Sequence, residues 1–262
     1  MEKLLDRLTL LITRPAQQSV HLMDKITEQG GKAYLFPTLE IISHSASQLK
    51  SILTPKSYWD KVIFTSANAV YPIMPFWSAL TCQPQVFAIG SGTARALAEY
   101  QINARQPRED FSSEGLLSLP ELQGIEQQRL VIFTGRAGRN FLAPQLRQRG
   151  ALVRIVPVYE RRCPRALLDK VYQEWQQAGL QVIVSTSSES LGNLCSMTKS
   201  SDARSWLYQQ QLLVISPQMK QMAHNLGFKH QARVAANASD EAIVEQLVAY
   251  AKTTRHPTGS VL

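Results

Sequence analysis

Short, continuously apolar runs recur along the chain, and most are followed by a small polar turn and a stretch with helical spacing. Strands are expected near 9–13, 61–65 and 86–89, with helices near 15–29, 67–79 and 92–100. Runs such as "KVIFT" (61–65) and "QVIVS" (181–185) lack a polar face, as strands do when helices cover both sides of their sheet. Strands alternating with helices predict parallel sheets, and so an α/β fold. Pro72 and Pro75 are expected to shorten or kink the helix after Ser66.

The pattern repeats. "LLITRPAQQSVHLMDKITEQGGKAYLFPTLE" (10–40) shares its plan with "VIFTGRAGRNFLAPQLRQRGALVRIVPVYE" (131–160), aligning Thr13 with Thr134, Gly30 with Gly150, Pro37 with Pro157 and Glu40 with Glu160. "VIFTSANAV" (62–70) matches "IVSTSSESL" (183–191), "FAIGSGTARALAEYQI" (87–102) matches "LVISPQMKQMAHNLGF" (213–228), and "SSEGLL" (112–117) matches "ASDEAI" (238–243). Order is preserved at every match, which indicates an ancestral duplication with about five strands per copy. Two extended segments with central prolines, "YLFPTLEIIS" (34–43) and "RIVPVYERRC" (154–163), occupy equivalent places. They are expected to pair as antiparallel connectors, a two-ply hinge between two lobes.

A chain of 262 residues suits about two domains of ~150 residues each. No apolar run approaches the ~20 residues of a membrane span, and nothing resembles a signal peptide. Cys82, Cys163 and Cys195 are odd in number, far apart and outside any CxxC pair. That suits a reducing cytoplasm, and argues against a disulfide framework or a structural zinc site. The net charge of +8 is concentrated: nine arginines, no lysine and one acid, Glu160, lie between Arg129 and Arg165. Arginine's planar fork matches carboxylates and phosphates. Nucleic acid is one partner this charge would suit, although no helix-turn-helix, RNP motif or zinc finger is present; a small polyanion is another and a generally basic surface the third, and composition alone does not separate them.

Ligands of open parallel sheets bind outside the carboxyl ends of the strands. Those ends carry Thr13-Arg14, Ser66-Ala67-Asn68, Gly90-Ser91-Gly92-Thr93, Ser112-Ser113, Thr134-Gly135-Arg136, Ser187-Ser188, Ser216-Pro217-Gln218 and Ala238-Ser239. One such turn is ordinarily a helix N-cap. Eight of them facing one cleft would form an anion-binding wall. "FTGRAGR" (133–139), with Gly135, Arg136 and Arg139, reads either as part of that wall or as a tight turn with two solvated arginines.

Other motifs fail. "GSGTAR" (90–95) has Arg95 in the place of the third glycine of a dinucleotide fingerprint, and "GRAGR" lacks the ending of a P-loop. The five histidines have no metal-ligand spacing, and no GxSxG elbow offers a nucleophile. Tyr159, in the second connector, is the acid–base-capable side chain placed where the lobes should meet; alone, a tyrosine there is more often a packing residue than a catalyst.

On "LLITRP", "VIFTSANAV", "AIGSGTARAL", "SSEGLL", "GRAGRNFL", "LRQRGALV" and "PVYERR", in this order and spacing, the chain resembles the uroporphyrinogen-III synthase family over residues 8 to 250. The resemblance implies two similar lobes, each a parallel sheet flanked by helices, joined by a two-stranded β-ladder. One lobe is then discontinuous (1–36 plus 162–262), the other spans 41–156, and 37–40 and 157–161 connect them.

The resemblance also implies cyclisation of hydroxymethylbilane, a linear tetrapyrrole with eight carboxylates, to uroporphyrinogen III, with loss of water and inversion of ring D. No cofactor or metal is implied; a cytoplasmic monomer acting on a small molecule, away from nucleic acid and membrane, is expected. Tyr159 matches the family's connector tyrosine, proposed to assist departure of the hydroxyl. Thr93, Ser66 and Ser187 match substrate-lining positions. Arg14, Ala67, Asn68, Ser91, Ser113, Gly135, Arg136, Arg139, Ser188, Ser216 and Gln218 complete the expected binding set. "SPQMK" (216–220) departs from the family pattern, with Met219 where threonine is common. The competing expectation is a non-catalytic, two-lobed polyanion sensor, since fold alone does not fix function.

Overall fold

The computed structural model describes residues 3–52, 58–79, 83–137 and 141–255. The chain divides into two compact units, Met1–Glu40 with Cys163–Leu262, and Ile41–Arg162. In chain order the first unit begins with β1 (Thr9–Ile12), α1 (Val20–Glu28) and β2 (Lys32–Leu35). Next come β3 (Glu40–Ser43), α2 (Ala46–Ile52), β4 (Lys61–Phe64), α3 (Ala67–Val70), β5 (Gln85–Ala88), α4 (Ser91–Ala98), α5 (Ser113–Leu117), β6 (Arg129–Gly135), α6 (Leu142–Gln148) and β7 (Leu152–Arg162). The chain then returns to the first unit with α7 (Tyr172–Gln177), β8 (Val182–Val184), α8 (Ser188–Ser196), α9 (Ser201–Tyr208), β9 (Gln211–Val214), α10 (Pro217–Leu226), β10 (Arg233–Val234) and α11 (Asp240–Arg255).

Each unit holds one five-stranded sheet, ordered β10-β9-β8-β1-β2 in the first and β3-β7-β6-β4-β5 in the second. The pairings β1–β2, β1–β8, β8–β9, β9–β10, β4–β5, β4–β6 and β6–β7 are all parallel, as the alternation of elements requires. Each repeat supplies five strands, yet neither sheet is one repeat. The first repeat gives β1 and β2 to one sheet and β3, β4 and β5 to the other. The second repeat gives β6 and β7 to the sheet that holds β3, and β8, β9 and β10 to the sheet that holds β1.

The central strands β1, β4 and β8 are buried at every position, so helices pack on both faces of each sheet. Buried Leu22 and Ile26, one helical turn apart, face α1 toward the sheet. That helix and α6 both stop at a glycine with positive φ, Gly30 at 85° and Gly150 at 82°. A left-handed residue ends a helix without penalty only when no Cβ is present, which is why the two repeats share a glycine here. The expected helix over 67–79 is α3 followed, at Met74–Ala79, by a 3-10 turn; Pro72 and Pro75 bracket its break.

The register corrects the sequence alignment by one residue. Ile12 lies opposite Leu35 and Val184, whereas the residue opposite the equivalent Ile155 and Ile63 is Ile132. Thr13 therefore corresponds to Phe133, and Arg14 to Thr134. The shift escaped the alignment because a Thr-to-Thr match is a local identity, whereas register is set by pairing with strands distant in the chain.

The two extended proline segments also differ from one another. In the first repeat the segment is broken, with β2 ending at Leu35 and β3 starting at Glu40. In the second it is one strand of eleven residues, β7, with Pro157 inside it and β3 at its side. A proline cannot donate to the ladder, and the pairing of β6 with β7 slips here, from Thr134 opposite Pro157 to Gly135 opposite Tyr159.

Candidate active site

In the second unit the slip at Pro157 re-aims the strand. Val158 is left unpaired with β6, its carbonyl accepting instead from the His44 N–H at 2.9 Å, and the Arg136 N–H bonds the Tyr159 carbonyl at 2.8 Å. The ring of Tyr159 then lies across β6, the strand between β7 and β4. A Cβ built on Gly135 would sit 2.7 Å from Tyr159 Cζ and 2.9 Å from its hydroxyl oxygen. Any side chain at 135 would push the ring away, so the glycine of "FTGRAGR" gives clearance for a tyrosine 24 positions later. Across that gap the Tyr159 hydroxyl meets Ser66 Oγ at 3.0 Å. Tyr159 is only 4% exposed.

Ser66 has an extended backbone and sits at the N-cap of α3, but its hydroxyl makes no capping bond to that helix. Its partner is the phenol. Beside it, Thr65 Oγ1 donates to Thr134 Oγ1 at 3.0 Å, tying the end of β4 to that of β6. Gly90, at the N-cap of α4, has no side chain with which to cap, and a Cβ on Gly92 would meet only open space. Ser91 is exposed while Thr93 is buried, so the first turn of α4 presents backbone and the Ser91 hydroxyl. Ser112 caps α5 by accepting from the Gly115 N–H at 3.0 Å, leaving Ser113 half-buried in the first turn. Ala67 and Asn68 are half-buried in α3.

Strand β6 runs through Gly135, two residues into the turn expected at Thr134-Gly135-Arg136. The Arg136 side chain is 73% exposed and lies 3.4 Å from Glu160 Oε2. It lines a surface groove of about 540 Å³ with His44, Ser45, Gln48, Pro157 and Glu160. Arg139 lies outside the described residues.

In the first unit the same carboxyl edge carries Arg14, Ser187, Ser188, Ser216 and Gln218. Here the hydroxyls serve their own helices. Ser187 accepts from the Ser190 N–H at 3.0 Å, Ser216 from the Met219 N–H at 3.2 Å and Ser239 from the Ala242 N–H at 3.2 Å. Ser188 and Gln218 are exposed in the first turns of α8 and α10. Met219 is 3% exposed and packs in the core cluster with Trp206 and Ala223. Its side chain fills the interior behind the turn, and its backbone N–H donates to Ser216. Arg14 is buried, with its guanidinium on Asp240 Oδ1 at 2.6 Å.

Sequence reasoning missed Asp240 and His21, which join Arg14 in a hydrogen-bonded cluster; an Asp at a helix start reads as ordinary dipole compensation. Among the described residues no group of three or more His, Cys, Asp or Glu side chains is placed to hold a metal ion. No described helix is long and apolar enough to cross a membrane.

The family model described as uroporphyrinogen-III synthase HemD matches residues 20–245. A uroporphyrinogen-III synthase of Salmonella typhimurium is 31% identical, over 92% of this chain and all of that protein. The Escherichia coli synthase is 30% identical with the same coverage. Among solved structures, the synthetase of Helicobacter pylori superposes with a TM-score of 0.57 at 13% identity, covering 93% of this chain and 99% of that one. A mutant synthase of Thermus thermophilus gives 0.55 at 14% identity, covering 94% and 99%. The structural likeness carries the fold; the match along nearly the whole chain, spanning Ser66, Gly135 and Tyr159, carries the relationship. The chain belongs to the uroporphyrinogen-III synthase family.

Proposed function

We infer that the chain closes hydroxymethylbilane to uroporphyrinogen III, with loss of water and inversion of ring D. The observation that carries the reading is a match to full-length synthases across nearly the whole chain. A non-catalytic sensor finds no support among these relatives.

The chemistry asks for a donor to the departing hydroxyl and for control of how a flexible polyanion folds. Ionisation of the terminal carbinol is driven by the lone pair of its pyrrole nitrogen, giving an azafulvene cation. Attack through the substituted carbon of ring D gives a spiro intermediate, which fragments and recloses with that ring inverted. The departing hydroxide takes one proton to leave as water, and ring D releases one proton on closure, so the protein ends as it began. The Tyr159 hydroxyl, oriented by Ser66 and seated over Gly135, is suited to donate the first and recover the second. A positioned acid is worth typically ~10² to 10⁴-fold; here less than the lower end is expected, because the pyrrole already drives ionisation.

Since the activated bilane can also close unaided to the type I isomer, the larger task is positioning. Backbone N–H groups in the first turns of α3, α4, α5, α8 and α10, with the Ser91, Ser113 and Ser188 hydroxyls, suit dispersed carboxylates. Exposed Arg136 adds a solvent-screened cation. The reading also takes the protein to be a cytoplasmic monomer that binds neither nucleic acid nor membrane. Gel filtration tests the oligomeric part.

The experiment supplies hydroxymethylbilane to the purified protein and separates isomers I and III by chromatography. Type III is expected to predominate. A type I product, unchanged by the protein, would overturn the reading.

A further inference from the structure

Arg14 directs its guanidinium into two separate turns of the first unit. Nε donates to Thr186 Oγ1 at 3.2 Å, Nη1 to Asp240 Oδ1 at 2.6 Å, and Nη2 to the Ala238 carbonyl. The second carboxylate oxygen of Asp240 is 2.8 Å from His21 Nδ1. The Arg14 side chain is 8% exposed and that of Asp240 17%, while His21 is 71% exposed. Thr186 immediately precedes Ser187, the cap of α8, and Ala238–Asp240 lead into α11. One planar fork thus ties the turn after β8 to the turn after β10, although β8 and β9 separate β1 from β10 in the sheet.

Thr134 is the corresponding residue of the second unit, and it bonds Thr65, the counterpart of Thr186, at 3.0 Å. The equivalent contact survives there with a side chain that reaches one neighbour only. The arginine in the first unit adds the reach to a third element. Its charge is also already matched, because a buried guanidinium on a carboxylate presents little net field to a passing anion. We propose that Arg14 is a positioning residue, not a ligand of the substrate. With Asp240 it sets the spacing of the Ser187–Ser188 and Ala238–Ser239 turns, on which recognition of a polycarboxylate depends. This inference rests on the function proposed above.

Asp240→Asn keeps the shape of the carboxylate while removing its charge, and Arg14→Met removes the guanidinium. Steady-state kinetics with hydroxymethylbilane, the III-to-I product ratio and the salt dependence of KM decide between the roles. If Arg14 positions the turns, both single variants raise KM by about 10-fold, within the effect expected of an ångström-scale misplacement. Both also enlarge the type I fraction and keep the wild-type salt dependence, and the double variant is no worse than either single one. If Arg14 bound a substrate carboxylate, Asp240→Asn would release its charge and lower KM, and Arg14→Met would flatten the salt dependence. Either result overturns the proposal. Should Arg14→Met fail to fold, the direction of the KM change in the isosteric Asp240→Asn still decides. A wild-type protein that yields no type III product overturns this inference and the proposed function together; a wild type that does, with variants unchanged from it, overturns this inference alone.

Discussion

The two units set the same strand–turn–helix edge to different uses. In the first, the serines at 187, 216 and 239 each cap the helix they precede, and the cation at Arg14 is matched by Asp240. In the second, Ser112 caps its helix, but Ser66 turns its hydroxyl to Tyr159 and Gly90 has none to offer. The corresponding residue to Ser66 is Ser187, identical in type and opposite in use. What separates them is the neighbour: a tyrosine reaches Ser66 only because Gly135 clears β6 beneath it. In the first repeat, Leu39 stands at the place of Tyr159 and Arg14 precedes a proline. At this edge the first unit thus uses the hydroxyls of Ser187, Ser216 and Ser239 as helix caps, and the second holds a hydroxyl pair, Ser66 and Tyr159, diverted from capping.

Gly135→Ala breaks this difference most severely. The added methyl must displace the Tyr159 ring, and kcat is expected to fall by about 10²-fold, as for a misplaced catalytic group. Tyr159→Phe comes next, slowing turnover by about 10-fold or less while the product stays chiefly type III. Retention of the wild-type rate in Tyr159→Phe would make the tyrosine a packing residue. The serines then give a paired test. Ser187→Ala should lower stability by ~1 kcal/mol, the usual cost of a lost N-cap, with kcat little changed. Ser66→Ala should do the reverse, lowering kcat with a smaller change in thermal midpoint. Equal behaviour of the two variants would erase the distinction between the units.

The smallest effect concerns a carboxylate confined to the first unit. The Lys199 and Ser200 N–H groups donate to Asp169 at 2.8 and 2.5 Å. The Lys199 backbone bond chiefly, with Ser200, holds its pKa down at about 2, against an ordinary 3.8. A pKa depressed in the folded state contributes stability that is present above the unfolded value and lost as pH falls through the folded one. Asp169→Asn should therefore destabilise modestly at neutral pH, and the difference from wild type should fade between about pH 4 and pH 2. A gap in thermal midpoint that persists unchanged at pH 2 would contradict this.

Much of the architecture is legible in the sequence. Apolar runs such as "KVIF" announce strands covered on both faces, because only burial on both sides tolerates an unbroken apolar stretch. Gly30 and Gly150 align between the repeats in the sequence, and the structure shows why: both end a helix at a positive φ that selects glycine. Tyr159 is marked by its place in the second connector and by its match to the family's connector tyrosine. These signals are readable because their causes lie within a few residues of one another.

What the tertiary structure alone decided has its cause far along the chain. That Gly135 is clearance for Tyr159 follows from β6 lying between β7 and β4, and strand order is a property of the fold. That Arg14 faces Asp240 joins positions 226 residues apart. The exchange of strands between the repeats, and the one-residue correction that makes Arg14 the counterpart of Thr134, come from pairing partners remote in sequence. Local chemistry makes a serine before a helix a good cap. Whether that serine caps its helix or serves a phenol depends on which side chain the sheet carries to it.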